Sequence, residues 1–376
     1  MKQLLVAFVG LYTVFALVGG IWRGRRAAQR ASRSSSPGPQ RWPFVSVIIP
    51  AWRDRAALQT CLRSLAKVDY PDYEVIVVAG GPDGTYDTAC AMAGQNRRMH
   101  VIEQLPRGKN AALNQGLAVA SADTIVFLDA DSELSPQWLK GLVGPLQGDV
   151  AAVTGNYSPI RETPVALWGD LAKVHEYLVR DRVILQGSGG IAVRREALEA
   201  IGPFPEERIS SDWDLDARLA LQGYTRKFAL DAAIRSHRPA TLREWWQNEL
   251  RWRRLHLRSL FRLKAGLLAT PGPTARHLYP YIASWTVALS TVIAAGAPLT
   301  RWSTLKQAAL LAWGGLTSLL LMRDLIPVVT VLVYQPSKRW LPLIPLAPVM
   351  TVMTWAACFV ASLTAKRASL QFKGVR

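Results

Sequence analysis

Between Val45 and about Ala240, short runs of β-branched residues alternate with stretches of helical periodicity. Such alternation is typical of a parallel sheet whose strands are joined by helices. The pattern predicts strands at Val45–Ile49, Glu74–Val78, Met99–Glu103 and Thr124–Leu128, and helices such as Ala56–Ala66 and Asn110–Ala120. We therefore expect residues 44–240 to form a doubly wound, mostly parallel α/β domain. Ligands of such domains gather at the carboxyl ends of the strands.

Apolar segments at both ends of the chain predict transmembrane α-helices. Leu4–Ile21 is long enough to span a bilayer and is followed by arginines, so we expect residues 1–22 to form a transmembrane helix and residues 23–43 a basic linker. A signal peptide is the alternative, but its positive charge would precede the apolar core. Residues 273–376 form a C-terminal transmembrane region with candidate spans at Leu278–Leu299, Leu305–Met322 and Leu341–Thr364. Leu325–Tyr334 is too short to cross alone.

Basic residues border the apolar segments. The net charge of +18 would favour nucleic-acid binding in a soluble protein. Here arginines interleave with aromatic and aliphatic residues over 241–272, which is typical of amphipathic helices at a membrane interface. Positive charge beside membrane spans marks the cytoplasmic side. We therefore expect a multi-pass integral membrane protein with a cytoplasmic α/β domain and no nucleic-acid partner, and the three cysteines fit a reducing compartment.

Two carboxylates follow the last predicted strand. Asp129 and Asp131 flank Ala130 directly after Thr124–Leu128, so we expect them at the carboxyl end of a buried strand. Such a pair can bind Mg²⁺ or Mn²⁺, and the cation can neutralise a diphosphate. The alternative is that these aspartates cap the following helix. Their position after a buried strand favours the metal site.

Three segments resemble the signatures of family 2 inverting glycosyltransferases, which have the GT-A fold. They are Val45–Asp54 (VSVIIPAWRD), Gly108–Gly116 (GKNAALNQG) and Gly187–Arg195 (GSGGIAVRR), in the order found in that family. The resemblance implies a nucleotide sugar as donor, and it implies that Lys109 approaches the donor phosphates. The donor-binding residues that it implies in these segments and the metal site are Pro50, Trp52, Asp54, Lys109 and Asp129. It places Gly189 and Gly190 near the acceptor sugar.

The resemblance also implies a catalytic base. In the family, the region that matches Ser211–Leu219 (SDWDLDARL) usually begins with Glu-Asp, and that aspartate deprotonates the acceptor hydroxyl. Asp212 matches the aspartate, whereas Ser211 replaces the glutamate. A carboxylate is needed because an alcohol is a weak nucleophile at neutral pH. The alternative is an acidic helix N-terminus favoured by the helix dipole, which we expect for Asp214 and Asp216 but not for Asp212.

A fourth segment, Asn248–Trp252 (NELRW), resembles the Gln-x-x-Arg-Trp motif of membrane-embedded members such as cellulose, chitin and hyaluronan synthases. The resemblance implies that Arg251 contacts the donor diphosphate and that Asn248 and Trp252 contact the acceptor. An aromatic face suits the apolar C–H face of a sugar. An interfacial anchor is the alternative, and it is the favoured interpretation for Trp245 and Trp246.

The chain departs from the family at the nucleotide base. After the strand Glu74–Val78 the family has an aspartate that contacts the base, but this chain has Ala79-Gly80-Gly81-Pro82-Asp83. Asp83 is the candidate substitute, and a UDP-sugar is the expected donor.

Together these features predict inverting transfer of a sugar to a membrane-associated lipid or lipid-linked acceptor. Ceramide glucosyltransferase-like enzymes, which the chain also resembles, perform such single transfers. A processive polysaccharide synthase, whose acceptor is a growing glycan, is the alternative enzyme. The non-enzyme alternative is a membrane-anchored scaffold that binds sugar nucleotides. The presence of Asp129, Asp131 and Asp212 argues against the scaffold.

Overall fold

The computed structural model describes residues 10, 14, 17–26, 28–29, 39, 41–174, 183, 185, 189–206, 210–263, 271–296, 313–314, 325–334 and 337–364. The strands of this part are β1 (Val45–Trp52), β2 (Tyr73–Gly80), β3 (Met99–Glu103), β4 (Thr124–Phe127), β5 (Ser132–Leu134), β6 (Val150–Pro159), β7 (Ile191–Arg194) and β8 (Thr225–Ser236). Its α-helices are α1 (Arg55–Leu65), α2 (Thr85–Ala93), α3 (Lys109–Val119), α4 (Trp138–Val143), α5 (Pro164–Val174), α6 (Arg195–Ile201), α7 (Ser211–Leu221), α8 (Leu242–Arg262), α9 (Pro271–Gly296), α10 (Leu325–Tyr334) and α11 (Leu343–Thr364). Lys338–Trp340 forms a 3-10 turn.

The strands form one mixed sheet in the order β3-β2-β1-β4-β7-β6-β8-β5. The first four in this order are parallel, and they are the four strands that the sequence predicts, with β1 extending to Trp52. In the other half, β7 is antiparallel to both β4 and β6, and β5 is antiparallel to β8. β6 and β8 are parallel, so four of the seven neighbouring pairs are parallel, as expected of a mostly parallel sheet, whereas the half beyond β4 is mixed. Only the first half is built from successive strand–helix–strand crossovers, which are what parallel neighbours require.

Buried clusters cover both faces of the sheet. Val47 and Ile49 of β1 belong to a cluster that includes residues of α1 and α4, whereas Ile48 belongs to one that includes residues of α3, α6 and α7. Side chains alternate between the faces of a strand, so a strand that is buried on both must be apolar at nearly every position. The core therefore ends just beyond β1 and β4, where the polar residues Arg53, Asp54 and Asp129 follow the two strands.

One described helix, α11, is long and apolar enough to cross a membrane, and it matches the predicted span Leu341–Thr364. The predicted span Leu278–Leu299 falls largely within α9, where Leu278–Ile293 is a shorter apolar helix. The span predicted at Leu305–Met322 lies outside the described residues except for 313–314, and most of residues 1–22 also lie outside them. Crossing of the membrane by several helices stays a prediction.

A pair of glycines brings the N-terminal helical segment, residues 17–26, close to α10. A Cβ atom added at Gly20 would lie 2.9 Å from Cβ of Val329. One added at Gly24 would lie 2.7 Å from the carbonyl oxygen of Thr330 and from Cβ of Val333. Two glycines four positions apart let helix backbones approach closely, which is common between helices in membranes.

The helix α8 was predicted to lie at the membrane interface, and in the structure one of its faces packs against protein. Leu257 and Leu260 form a buried cluster with Tyr281 of α9 and Cys358 of α11. Trp245 is only 7% exposed, so the expectation that it anchors the interface was wrong. Helix α8 thus connects the α/β domain to the apolar helices.

The glycine-rich segment before β7 crosses β6 at backbone contact distance. A Cβ atom on Gly155 would lie 2.1 Å from the carbonyl oxygen of Gly189, and one on Gly189 would lie 2.0 Å from that of Gly155. Gly190 has a φ of +77°, and a Cβ there would lie 2.7 Å from Cζ2 of Trp138. Trp138 also donates from Nε1 to the Gly189 carbonyl at 3.3 Å. Packing alone therefore requires these glycines, and contact with an acceptor stays a prediction.

We predict that Gly155→Ala lowers the free energy of unfolding by about 1–3 kcal/mol or more, because the added methyl group meets fixed backbone. Thermal unfolding of the purified protein in detergent measures the effect. Gly169→Ala is the matched control, since a Cβ at this helical position meets nothing within 4 Å. Equal melting temperatures of Gly155→Ala and Gly169→Ala would contradict the close backbone contact between Gly155 and Gly189.

Candidate active site

The carboxyl ends of β1 and β4 and the N-termini of α3 and α7 surround one pocket. Its lining consists of Pro50, Lys109, Leu113, Phe127, Leu128, Asp129, Ile191, Phe204, Ser211, Asp212 and Leu215. Four residues singled out in the sequence, Pro50, Lys109, Asp129 and Asp212, therefore meet although they lie on distant segments. The remaining lining is mainly apolar, which lowers the local dielectric constant and strengthens electrostatic interactions.

Lys109 is the first residue of α3 and points at the carboxylates. It follows Gly108, whose φ of +98° turns the chain into the helix. Its Nζ donates to Oδ1 of Asp129 at 2.5 Å. Burial acts to lower the pKa of Lys109, but the carboxylates of Asp129, Asp212 and Asp131 outweigh it and raise this pKa above its ordinary value. One cation thus neutralises part of a three-carboxylate cluster.

Arg251 approaches the same carboxylates from α8. Burial lowers the pKa of Arg251, while Asp129 and Asp131 act in the opposite direction, so its guanidinium interacts electrostatically with both. Nη2 of Arg251 donates to Oδ1 of Asn248 at 2.7 Å, and Cζ lies 5.3 Å from the centroid of the Trp252 ring. Asn248 and Trp252 thus position Arg251. Their predicted contact with an acceptor stays a prediction.

Asp212 lies in the first turn of α7. Its Oδ1 accepts hydrogen bonds from Oγ of Ser210 at 2.6 Å and from the backbone N–H of Trp213 at 2.9 Å. Two donors to one carboxylate oxygen fix the orientation of the side chain. Asp212 and Ser211 both line the pocket, so the segment matched to Glu-Asp faces the other carboxylates.

Asp214 and Asp216 are buried in ion pairs. Asp214 lies in the first turn of α7, as expected for an acidic helix N-terminus, whereas Asp216 lies beyond that turn. Asp214, fully buried, accepts from Nε of Arg218 at 2.7 Å and from Nη1 of Arg262 at 2.8 Å. Asp216 accepts from Nε of Arg226 at 2.8 Å. Burial raises the pKa of Asp216 to about 6 although Arg226 opposes the shift. Arg262 belongs to α8, so Asp214 connects the helix of Asp212 to the helix of Arg251.

Two asparagines of the Gly108–Gly116 segment fix the loop that precedes α7, a role that the sequence analysis missed. Asn114 accepts from the backbone N–H of Phe204 at 2.9 Å and donates to its carbonyl at 2.8 Å. Asn110 donates to the carbonyl of Pro205 at 2.6 Å. Their spacing of four residues, which places them on one face of α3, was the available signal.

The ends of β1 and β2 lie side by side at the expected nucleotide end of the site. Trp52 pairs with Gly80, and a Cβ atom on Gly80 would lie 2.8 Å from the Trp52 ring. The carboxylate of Asp83 accepts from Thr85 Oγ1 at 2.7 Å and from the backbone N–H of Arg55 at 3.3 Å. The backbone N–H of Asp54 donates to Thr85 Oγ1 at 3.0 Å. Both oxygens of Asp83 thus have local partners, and donor binding by Trp52, Asp54 and Asp83 stays a prediction.

The two aspartates after β4 suit a cation only together with further ligands. Among the described residues, no group of three or more His, Cys, Asp or Glu side chains is arranged to hold a metal ion. Asp129 and Asp131 offer the hard oxygen ligands that Mg²⁺ and Mn²⁺ prefer. A diphosphate would add oxygens, so the residues fit a cation that binds jointly with a diphosphate.

Residues 46–202 match the family described as Glycosyl transferase family 2. Glycosyltransferase AglE of Haloferax volcanii is 31% identical over 198 residues, which cover 50% of this chain and 65% of that protein. Beta-monoglucosyldiacylglycerol synthase of Trichormus variabilis is 26% identical over 264 residues, which cover 66% of this chain and 55% of the relative. The chain thus spans between about half and two thirds of the length of these relatives.

A solved structure resembles nearly the whole chain. It is the mannosyltransferase PcManGT from Pyrobaculum calidifontis in complex with GDP-Man and Mn²⁺, with a TM-score of 0.64 and 20% identity. The match covers 96% of this chain and 99% of that one. At this identity the likeness concerns the fold, which is GT-A-like.

Proposed function

We propose that the protein is an inverting glycosyltransferase that moves a sugar from a nucleoside diphosphate donor, expected to be a UDP-sugar, to a lipid at the membrane. The observation that carries the proposal is the convergence of Lys109 and Arg251 on Asp129 and Asp131, with Asp212 on the same pocket. Two cations beside two metal-binding carboxylates suit a diphosphate. A third, separately oriented carboxylate suits the abstraction of a proton.

Lys109 and Arg251 act on the leaving group. As the bond between the anomeric carbon and the diphosphate breaks, negative charge grows on the diphosphate oxygens, and fixed cations in a partly dry pocket stabilise it. A bound Mg²⁺ or Mn²⁺, held by Asp129 and Asp131, would neutralise further diphosphate charge. The positions of both side chains are set before the reaction, Lys109 by Asp129 and Arg251 by Asn248.

Asp212 acts on the acceptor. Its carboxylate takes the proton of the acceptor hydroxyl while that oxygen attacks the anomeric carbon from the side opposite the diphosphate, which inverts the configuration. Hydrogen bonds from Ser210 and Trp213 hold the base in place. Such prior positioning accounts for much of the efficiency of general-base catalysis.

The packing of the domain against the apolar helices supports a lipid acceptor. Leu167 and Leu171 of α5 are buried against Val331 of α10 and Ala347 of α11. Trp213, directly after the proposed base, belongs to the cluster with Cys358 of α11. The base is therefore joined to the helix that is apolar enough to span a membrane. The curated relatives include a monoglucosyldiacylglycerol synthase, whose name indicates a glycolipid product.

We predict that Asp212→Asn lowers the transfer rate by about 10²–10⁴-fold, because the amide keeps the shape of the carboxylate but accepts no proton. Nucleotide affinity should stay unchanged. Asp123→Asn, the same substitution at an exposed position, is the matched control. Near-normal turnover of Asp212→Asn in a radiolabelled-sugar assay would exclude this residue as the base.

We predict that Mn²⁺ binds weakly to the protein alone and roughly tenfold or more tightly, about 1.4 kcal/mol, when UDP or GDP is present. Two carboxylates alone leave most coordination positions to other ligands. Titration followed by electron paramagnetic resonance of free Mn²⁺ measures both affinities, and Asp131→Ala should abolish the gain. Tight Mn²⁺ binding in the absence of a nucleotide would contradict a metal site formed jointly by the two aspartates and the diphosphate.

The orientation of the domain can be tested with a native cysteine. Cys61 and Cys358 are buried, whereas Cys90 on α2 is exposed. We predict that a membrane-impermeant maleimide labels Cys90 only after cells are permeabilised, because the arginines beside the apolar segments belong on the cytoplasmic side. Cys90→Ser is the control for labelling of the other cysteines. Labelling of Cys90 in sealed cells would place the domain outside.

A further inference from the structure

Arg238 lies two residues after β8 ends, and its guanidinium stacks on an aromatic ring. Its Cζ is 3.9 Å from the centroid of the Tyr157 ring, and Tyr157 is only 7% exposed. Stacking on an aromatic face holds the plane of a guanidinium in one orientation. The direction of its N–H groups is therefore fixed.

Two donors of this guanidinium, Nε and Nη2, have no acceptor in the described part of the chain. Nε and Nη2 of Arg238 are shielded from solvent and make no hydrogen bond to any described residue. Shielded charged donors without partners are costly, so native proteins rarely keep them. Other buried guanidinium groups of this chain are paired with carboxylates, namely those of Arg218, Arg226 and Arg253.

Nε and Nη2 form one edge of the guanidinium. Their N–H bonds are parallel and spaced to meet two oxygens of one carboxylate or phosphate group. The two unpaired donors can therefore bind one anion together, through two parallel hydrogen bonds.

Tyr157, on which Arg238 stacks, interacts electrostatically with the proposed base. Burial raises the pKa of Tyr157, Arg238 opposes this shift, and the carboxylates of Asp170 and Asp212 add to it. Arg238, Tyr157 and Asp212 thus share one neighbourhood. Lys109 and Arg251, by contrast, interact with Asp129 and Asp131, where the donor diphosphate is proposed to bind.

The same neighbourhood meets the membrane-associated helices. Asp170 belongs to α5, and Leu167 and Leu171 of that helix are buried against α10 and α11. The electrostatic neighbourhood of Tyr157 thus includes Arg238, the proposed base and a residue of the helix that packs against α10 and α11. Phosphate is the commonest anionic group in membrane lipid headgroups, and its tetrahedral oxygens match the orphaned edge.

We propose that Nε and Nη2 of Arg238 bind a phosphate group of the lipid acceptor and so select a phosphate-bearing lipid over a neutral one. The inference rests on the proposed transfer to a lipid. If the acceptor were a neutral lipid, that function would still hold, but Arg238 would have no phosphate group to bind. The anion replaces the missing protein acceptors and orients the headgroup against Asp212.

The test compares three single-chain lipids: 1-oleoyl lysophosphatidic acid, 1-oleoylglycerol and oleate. Their binding to the purified full-length protein in neutral detergent is measured by thermophoresis for the wild type, Arg238→Met and Arg161→Met. Arg161 is the matched control, because it is an exposed arginine in the segment that follows β6. We expect lysophosphatidic acid to bind the wild type and Arg161→Met at least tenfold more tightly than it binds Arg238→Met. 1-Oleoylglycerol should bind all three proteins weakly and equally.

Several results would overturn the proposal. The first is an unchanged affinity of Arg238→Met for lysophosphatidic acid. The second is a wild type that binds lysophosphatidic acid and oleate equally well, and the third is a wild type that binds lysophosphatidic acid and inorganic phosphate equally well.

A second variant separates a lost contact from misfolding. Arg238→Lys keeps the charge but loses the bidentate edge, so it should bind the lipid phosphate with intermediate affinity. Its melting temperature should equal that of the wild type, so that its weaker binding reflects the lost edge and not misfolding. UDP affinity in the presence of Mn²⁺ is measured in parallel. If Arg238→Met lost UDP affinity while Arg161→Met kept it, the arginine would belong to the donor site. If the wild type bound no UDP, the proposed glycosyltransferase function would be wrong.

Discussion

The ion pair between Lys109 and Asp129 is the interaction on which the rest of the site depends. Asp129, Asp131 and Asp212 are carboxylates close enough to act on one lysine, and without a cation among them their mutual repulsion would oppose folding. Gly108 makes the pair possible, because its positive φ brings the N-terminus of α3 to the end of β4. Lys109 and Arg251 offset part of the negative charge of these carboxylates, so a donor diphosphate would bind together with its own cation.

The framework around this pair is rigid for identifiable reasons. Asn110 and Asn114 fix the loop before α7, and the buried pair of Asp214 with Arg262 connects α7 to α8. Breaking a buried ion pair by removing one partner is strongly destabilising. The pair thus ties the helix of the proposed base to the helix of the proposed leaving-group cation. Because α8 also packs against α9 and α11, these apolar helices support the geometry of the pocket.

The sequence predicted the half of the fold whose pattern is local. β1 to β4 are apolar runs with helices between them, and the carboxylates after β4 were placed correctly at a strand end. β5 is only three residues long and β8 carries charged residues on one side, so neither has the apolar signature of a buried strand. The roles of Asp214 and Gly155 depend on partners distant in sequence. Likewise, nothing in the sequence distinguishes Arg238 from the other arginines near the membrane segments.

The central proposal is that one pocket binds a nucleotide sugar and transfers the sugar with inversion. The most direct test incubates the purified protein with Mn²⁺, a membrane lipid extract and a panel of labelled donors that includes UDP-glucose and GDP-mannose. The anomeric configuration of the glycolipid product is then determined by nuclear magnetic resonance. We expect one accepted donor and a product whose anomeric configuration is opposite to that of the donor. Transfer with retained configuration, or no transfer from any donor while the Lys109 and Asp129 pair is intact, would contradict this proposal.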